Sequence, residues 1–196
     1  MWLAVWSATV SHQDHANNDT IRKVIQYGIP TYSCDEVAKL NKGVTIVEKG
    51  RKTTIGGFKI QPIPLEHSAQ CFGFLIEHDE FGRLVFATDC SSFPYLIRNV
   101  NHFLIECNWS EDILIDNMCN NEEMRSRHEQ HLELENTMMA LSANYTPSLQ
   151  TIVLLHLSNG NSNAETFKTR VEEELGFFNV HVAEKGLTLQ LEKEEF

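Results

Sequence analysis

Apolar runs alternate with turn residues along the chain and predict more strands than helices. The predicted strands are Leu3–Val10, Thr31–Tyr32, Val44–Val47, Phe58–Ile63, Cys71–Glu77, Leu84–Ala87, Asn101–Cys107, Thr151–Leu157, Val180–Ala183 and Leu187–Leu191. The predicted helices are Thr20–Tyr27, capped by Asn18 or Asp19, then Asp35–Leu40, Glu129–Ser142 and Ala164–Leu175, with a short helix inside 108–121. Strands between 44 and 88 follow one another as a β meander. Because helices occur singly between groups of strands, we expect a sheet sandwich with helices on its outer faces.

Length and composition narrow the classes of protein. A chain of 196 residues fits a single domain, 1–196. Its five cysteines have no paired spacing, which favours reduced thiols and a cytoplasmic location in a bacterium or a phage-infected cell. We expect no membrane segment. A net charge of −11 argues against binding long nucleic acids but allows a small phosphorylated substrate.

Ionisable side chains follow several predicted strands. His12, Asp14 and His15 come directly after the first strand, with the spacing of metal ligands. His67, Asp89 and His156 end three later apolar runs. A carboxylate or imidazole that follows an apolar strand is costly to bury unless it is paired or bound to a metal, so these placements together predict a metal site.

The ordered set resembles a known family. Thr9-Val10-Ser11-His12-Gln13-Asp14-His15 is similar to the T-H-x-H-x-D-H signature of the metallo-β-lactamase superfamily, and His67, Asp89 and His156 occupy the positions of its other ligands. The segments Phe86–Asp89, Leu104–Asn108 and His156–Ser162 resemble its phage and prophage branch, which includes the anti-Pycsar cyclic-nucleotide phosphodiesterases. The resemblance implies an α/β (α+β) fold, the four-layer αββα metallo-β-lactamase sandwich.

The resemblance also implies a site for one or two Zn²⁺ or Mn²⁺ ions. His12 and His67 belong to one metal, Asp14, His15 and His156 to the other, and Asp89 bridges them. A hydroxide held by the metals then attacks phosphorus. Asp14 and His131 are the catalytic candidates, with His131 as the acid that protonates the leaving oxygen. The candidates for substrate binding are Asn108, Ser158, Asn161 and Ser162, which also suit turn formation and helix capping.

Two departures from the family pattern affect these expectations. Val10 stands where the signature has its first histidine, and valine cannot bind a metal. We therefore expect the second metal position to be the better occupied. The chain also looks short at its N-terminus relative to the family, so we expect a homodimer to cover the exposed sheet edge.

Three functions stay open at this point. The leading prediction is a metal-dependent phosphodiesterase that hydrolyses small nucleotides, 3′,5′-cyclic ones first. A DNA or RNA nuclease of the same superfamily is the second. The third is a degenerate member that binds a nucleotide or a protein without turnover, which Val10 favours.

Overall fold

A computed structural model describes residues 6–7, 16–117 and 128–193. Its strands are β1 (Trp6–Ser7), β2 (Thr31–Ser33), β3 (Thr45–Ile46), β4 (Thr53–Ile55), β5 (Phe58–Leu65), β6 (Cys71–His78), β7 (Gly82–Ala87), β8 (His102–Glu106), β9 (Thr151–Leu155) and β10 (Val180–Val182). The helices are α1 (Asn18–Gln26), α2 (Asp35–Leu40), α3 (Glu111–Asn117), α4 (Leu134–Asn144) and α5 (Ala164–Leu175).

The strands form two sheets. A small parallel sheet has the order β1-β2-β3, and a seven-stranded sheet has the order β10-β9-β8-β7-β6-β5-β4. Strands β5 and β7 are each antiparallel to β6, whereas β8 and β9 continue parallel to β7. Consequently β5, β7, β8 and β9 all point the same way, and their carboxyl ends lie along one edge of the large sheet.

Both faces of the large sheet are covered. On β6, Phe72 and Phe74 pack with Ile21 of α1 and Val37 of α2, while Leu75 faces the opposite cluster. That second cluster joins the large sheet to α4 and α5. Its members include Val85, Phe103, Ile105, Ile152, Leu154, Leu141, Phe167 and Val171. The alternation along β6 is the period of two that places successive side chains on opposite faces.

Caps and stop signals set the best-predicted boundaries. Helix α5 has the predicted ends, because Asn163 accepts the backbone N–H of Thr166 and Gly176 follows the last turn with a left-handed φ of 59°. Helix α2 also has its predicted ends. The cap of α1 was predicted one or two residues late: Asn17 accepts the N–H of Thr20, and the helix begins at Asn18.

Several other predicted elements were wrong. Helix α4 begins at Leu134 rather than Glu129, because Glu133 caps it through the N–H groups of Glu135 and Asn136. Residues 187–191 form no strand. The predicted strand at 44–47 is reduced to β3 and pairs with β2 in the small sheet, so the meander consists of β4 to β7 and gains the unpredicted β4. Of the predicted Leu3–Val10 strand, only β1 lies within the described residues.

The cysteines in the described ranges are free and buried: Cys34, Cys71, Cys90 and Cys107. All four pack as small apolar groups in the buried core. Across those same ranges, no helix is long and apolar enough to cross a membrane.

Candidate metal centre

Three parallel strands deliver the central residues of the site to one edge of the sheet. Asp89 follows the end of β7, Glu106 is the last residue of β8, and His156 directly follows β9. Because β7, β8 and β9 are adjacent and parallel, these three side chains are brought close together. The prediction that ionisable groups follow strand ends thus has a topological cause.

The backbone leaves the ordinary regions at two of these positions. Asp89 and His156 both have a φ of 57°, in the left-handed region that residues other than glycine seldom adopt. Such conformations persist where the surrounding structure holds them, and they are concentrated at functional sites. Here they turn the chain sharply at the ends of β7 and β9.

Four side chains come together at this edge. One oxygen or nitrogen atom from each of Asp89, Glu106, His131 and His156 lies within 4.8 Å of the others. Oδ1 of Asp89 is 3.8 Å from Nδ1 of His156 and 4.0 Å from Nδ1 of His131. The centroids of the two imidazole rings are 5.1 Å apart.

Glu106 lies at the centre of the cluster and is completely buried. Its Oε1 is 2.7 Å from Nδ1 of His131 and 2.7 Å from Nδ1 of His156. Its Oε2 accepts the backbone N–H of Cys90 at 2.8 Å. Burial acts to raise the pKa of Glu106, but the hydrogen bonds from His131 and His156 outweigh it and hold the pKa below its ordinary value. Glu106 is therefore a buried carboxylate anion.

The Glu106 carboxylate also fixes the tautomers of both histidines. An ionised carboxylate only accepts hydrogen bonds, so Nδ1 of His131 and Nδ1 of His156 both carry hydrogen. The amide of Asn108 also lies near Nδ1 of His156, but at 3.4 Å, and its much shorter bond is the 2.5 Å contact with the His156 carbonyl. Each imidazole consequently keeps its lone pair on Nε2.

His131 lies in the turn before α4 and not at the start of a helix, which corrects the predicted placement. Its carbonyl accepts the indole N–H of Trp109 at 3.1 Å, and the Trp109 carbonyl accepts the N–H of Leu134 at 2.8 Å. These bonds tie the turn to the loop after β8. The position of His131 is thus set by the segment that follows Glu106.

His67 lies beside the four-residue group. It follows β5 after one intervening residue, and its ring centroid is 5.4 Å from that of His131. Its Nδ1 is 3.1 Å from the carbonyl of Gln130. Since a carbonyl only accepts, Nδ1 of His67 also carries hydrogen and Nε2 again holds the lone pair.

Two of the predicted substrate-binding residues line a cavity beside the cluster. This cavity has a volume of about 400 Å³. Its walls are formed by Asn108, His128, His131, His156, Leu157, Ser158 and Asn159. The other two predicted residues shape the adjoining loop: Asn161 contacts His128, and Ser162 donates to the carbonyl of Ser158.

Two residues of this region, Glu106 and His128, were not predicted from the sequence. Glu106 ends an apolar run, Phe103-Leu104-Ile105, and the burial of a carboxylate in such a run was an available signal. His128 lies in a polar stretch without periodicity. Burial lowers its pKa, and the charge of His131 adds to that effect.

The predicted ligands His12, Asp14 and His15 lie outside the described residues, as does Val10. Within the described part of the chain, the donor set suits a divalent cation. Imidazole nitrogen and carboxylate oxygen are ligands of Zn²⁺, Mn²⁺ and Fe²⁺. Asp89 and His156 can offer an oxygen and Nε2 directly, while Glu106 supplies the carboxylate that commonly orients a ligating imidazole through its other nitrogen.

Comparison with known proteins gives a result only at the level of structure. No protein-family model and no curated protein matches the chain by sequence. The metallo-beta-lactamase fold protein YhfI from Bacillus subtilis superposes with a TM-score of 0.72 at 16% identity, over 93% of this chain and 76% of that one. The chain has the metallo-β-lactamase fold. The predicted fold class is thereby confirmed.

Two other structures with the metallo-β-lactamase fold superpose on this chain over most of their length. A diphosphatase from the PhnP family has a TM-score of 0.61 at 17% identity, over 93% of this chain and 68% of that one. The isothiocyanate hydrolase from Delia radicum gut bacteria has a TM-score of 0.62 at 13% identity, over 96% of this chain and 76% of that one. At these identities the likeness establishes the metallo-β-lactamase fold alone.

Proposed function

We propose that the protein is a metal-dependent hydrolase that cleaves a phosphodiester bond in a small nucleotide, with a 3′,5′-cyclic nucleotide as the substrate. The observation that carries this proposal is the convergence of Asp89, Glu106, His131 and His156 within 4.8 Å beside an open cavity. Structures with the same fold include a PhnP-family diphosphatase, which supports hydrolysis at phosphorus. The net charge of −11 favours a small substrate over a polymer.

The metal would be held by the described residues Asp89, His156 and His67, together with the sequence candidates His12, Asp14 and His15. A bound divalent cation would supply Lewis-acid chemistry and lower the pKa of water. Asp89 is only 3% exposed, so bulk water has little access to its carboxylate oxygens. The same carboxylate lies between His131 and His156, at 4.0 and 3.8 Å from their Nδ1 atoms.

His131 is the residue proposed to move a proton. Glu106 holds Nδ1–H of His131, so Nε2 is the atom that takes up and delivers a proton at the leaving oxygen. The buried anion also stabilises the imidazolium form, in the way that an orienting carboxylate supports a catalytic histidine. His131 lines the cavity, which brings this ring to the substrate side of the cluster.

A panel of substrates tests the proposal. Purified protein is assayed with cyclic nucleotides, and with single- and double-stranded oligonucleotides, with and without added Mn²⁺ or Zn²⁺. Metal-dependent opening of a cyclic nucleotide supports the proposal. Cleavage of the oligonucleotides alone would identify a nuclease, and binding without turnover would identify a non-catalytic member.

Variants of the cluster separate the two roles. Asp89→Asn and His156→Ala should both lose bound metal and activity, whereas His131→Ala should keep its metal and lose about 10²- to 10⁴-fold in kcat. His181→Ala, a histidine outside the cluster, is the matched control and should change neither quantity. Unchanged kcat in His131→Ala would refute the role of this residue.

A further inference from the structure

A chain of hydrogen bonds leads from a backbone carbonyl into the cavity beside the metal centre. It starts at Gly160, whose carbonyl oxygen lies 2.6 Å from Nδ2 of Asn117 at the end of α3. A carbonyl only accepts hydrogen bonds, so the Asn117 atom that faces it must be the NH₂ group. The orientation of the Asn117 amide is thereby fixed.

The next link orients a second amide. The same NH₂ group of Asn117 lies 3.2 Å from Oδ1 of Asn161, which must accept. The other end of the Asn161 amide is then its NH₂ group, and it lies 2.7 Å from Nε2 of His128. Both amides thus have one orientation that satisfies every contact.

The last link fixes the tautomer of His128. Because Asn161 donates, Nε2 of His128 must accept, and a nitrogen that accepts carries no hydrogen. His128 is therefore a neutral imidazole with its hydrogen on Nδ1. This state excludes both the imidazolium form and the other tautomer while the Asn117–Asn161 chain is intact.

His128 and Ser158 line the same cavity. Oγ of Ser158 accepts the backbone N–H of Asn161 at 3.3 Å, which leaves its O–H able to donate. No lysine or arginine is among the described residues that line this cavity. Away from the metal centre, its polar wall thus offers neutral donors but no cation that would offset the desolvation of a second anionic group, so an uncharged acceptor suits it better.

We propose that His128 is a specificity-determining residue that donates Nδ1–H to an uncharged hydrogen-bond acceptor on the organic substituent of the substrate, such as a carbonyl oxygen of a nucleobase. Asn161 and Asn117 act as positioning residues that keep His128 in the donating tautomer. This inference rests on the proposed function for the identity of the reacting molecule. The volume of about 400 Å³ lies in the range of small-molecule sites.

The tautomer is measured directly by ¹⁵N spectroscopy of the histidine rings at neutral pH. In the wild-type protein, Nδ1 of His128 should give a protonated-type signal and Nε2 an unprotonated-type signal. Asn161→Leu should remove this preference, and Asn161→Asp should reverse it, because a carboxylate accepts from Nε2–H. A wild-type ring with hydrogen on Nε2 would overturn the proposal.

Substitutions at His128 test which ring nitrogen matters. His128→Asn keeps an amide N–H near the position of Nδ1, whereas His128→Gln keeps a polar group only near Nε2. The probes are thymidine 5′-(p-nitrophenyl phosphate), which carries base carbonyls, and bis(p-nitrophenyl) phosphate, which lacks them. We expect His128→Gln and His128→Ala to raise KM for the thymidine probe about 3- to 10-fold with little change in kcat, and His128→Asn to restore KM.

Two results would contradict the specificity role: equal losses on both probes, or rescue by His128→Gln and not by His128→Asn. A third measurement separates this inference from the proposed function. Thymidine, titrated into labelled wild-type protein at millimolar concentration, should shift the Nδ1 signal of His128 without turnover. If neither the two probes nor the cyclic nucleotides are hydrolysed, the proposed function fails while this shift still supports the binding role; absence of the shift refutes the binding role.

Discussion

The backbone N–H of Cys90 donates to Oε2 of Glu106 across 2.8 Å. This bond links the segment after β7 to the end of β8 and leaves Oε1 of Glu106 for the imidazoles of His131 and His156. Each oxygen of one buried carboxylate therefore has a distinct task. Oε2 holds the backbone beside Asp89, and Oε1 sets the direction of two rings.

Glu106→Gln should lower metal affinity or kcat/KM about 10- to 100-fold, as expected for the loss of a carboxylate that orients ligands. The amide has no charge, and its NH₂ group opposes the donors that surround it. Metal content and hydrolysis of bis(p-nitrophenyl) phosphate measure the effect. Glu135→Gln makes the same chemical change on the exposed side of α4 and serves as the control. Equal metal content and equal activity in the two variants would show that Glu106 has no role at the site.

Val10→His should raise both the metal content and the activity. The expectation comes from the sequence signature, in which a histidine stands at this position and valine offers no donor atom. Metal equivalents are counted on purified protein, with Val10→Leu as the control for a change of size alone. Two tightly held metal equivalents in the wild-type protein, or no gain in the histidine variant, would show that Val10 does not limit the site.

The buried imidazole of His102 should lower the free energy of unfolding in mild acid. It is 1% exposed, and burial lowers its pKa below 6.5, with the carbonyls of Phe81 and Glu192 opposing the shift in part. The unfolded chain binds a proton near pH 6.5, while the folded chain does so only at lower pH, so the free energy of unfolding falls as the pH falls through that window.

Urea unfolding of His102→Leu at pH values from 8 down to 5 checks this expectation. The variant should lose part of the pH dependence that the wild type shows below about pH 6.5. His181→Leu, at a more exposed position on β10, should keep it. A wild-type stability that rises on acidification would contradict the sign of the effect.

Asn163→Ala should lower the free energy of unfolding by about 1 kcal/mol, because the side chain of Asn163 caps α5 through the N–H of Thr166 at 3.0 Å. Asn163→Asp keeps an acceptor and should retain most of the stability. Chemical denaturation measures both variants. A loss of similar size in the two would show that the cap contributes little.

Local signals in the sequence were sufficient for some elements. Asn163 and Gly176 are a strong helix start and stop, and α5 has the predicted ends. Helix α4 was misplaced because its cap is Glu133, a residue less common there than serine or aspartate, and because buried Leu132 extends the apolar pattern beyond the helix. The alternation of Leu187, Leu189 and Leu191 is that of a strand, yet these residues pair with no strand in the described part of the chain.

Part of the candidate site could be predicted from the sequence for a related reason. Asp89 and His156 follow apolar strands, so their chemistry was visible in the sequence. The role of Glu106 depends on the parallel pairing of β7, β8 and β9, which a single sequence does not specify. The tautomer of His128 depends on the side-chain amides of Asn117 and Asn161, which are 44 residues apart in the sequence. No local sequence pattern connects these two residues.

The reactivity of the buried thiols reports local opening of the structure around them. Burial, with the charges of Asp89 and Glu106, raises the pKa of Cys71 to about 12, and burial likewise raises the pKa of Cys90 beside the site. A thiol in this state reacts with alkylating reagents only when its surroundings open. The labelling rates of Cys71 and Cys90 therefore measure how often the sheet edge that carries Asp89 and Glu106 opens. A bound metal would lower these rates.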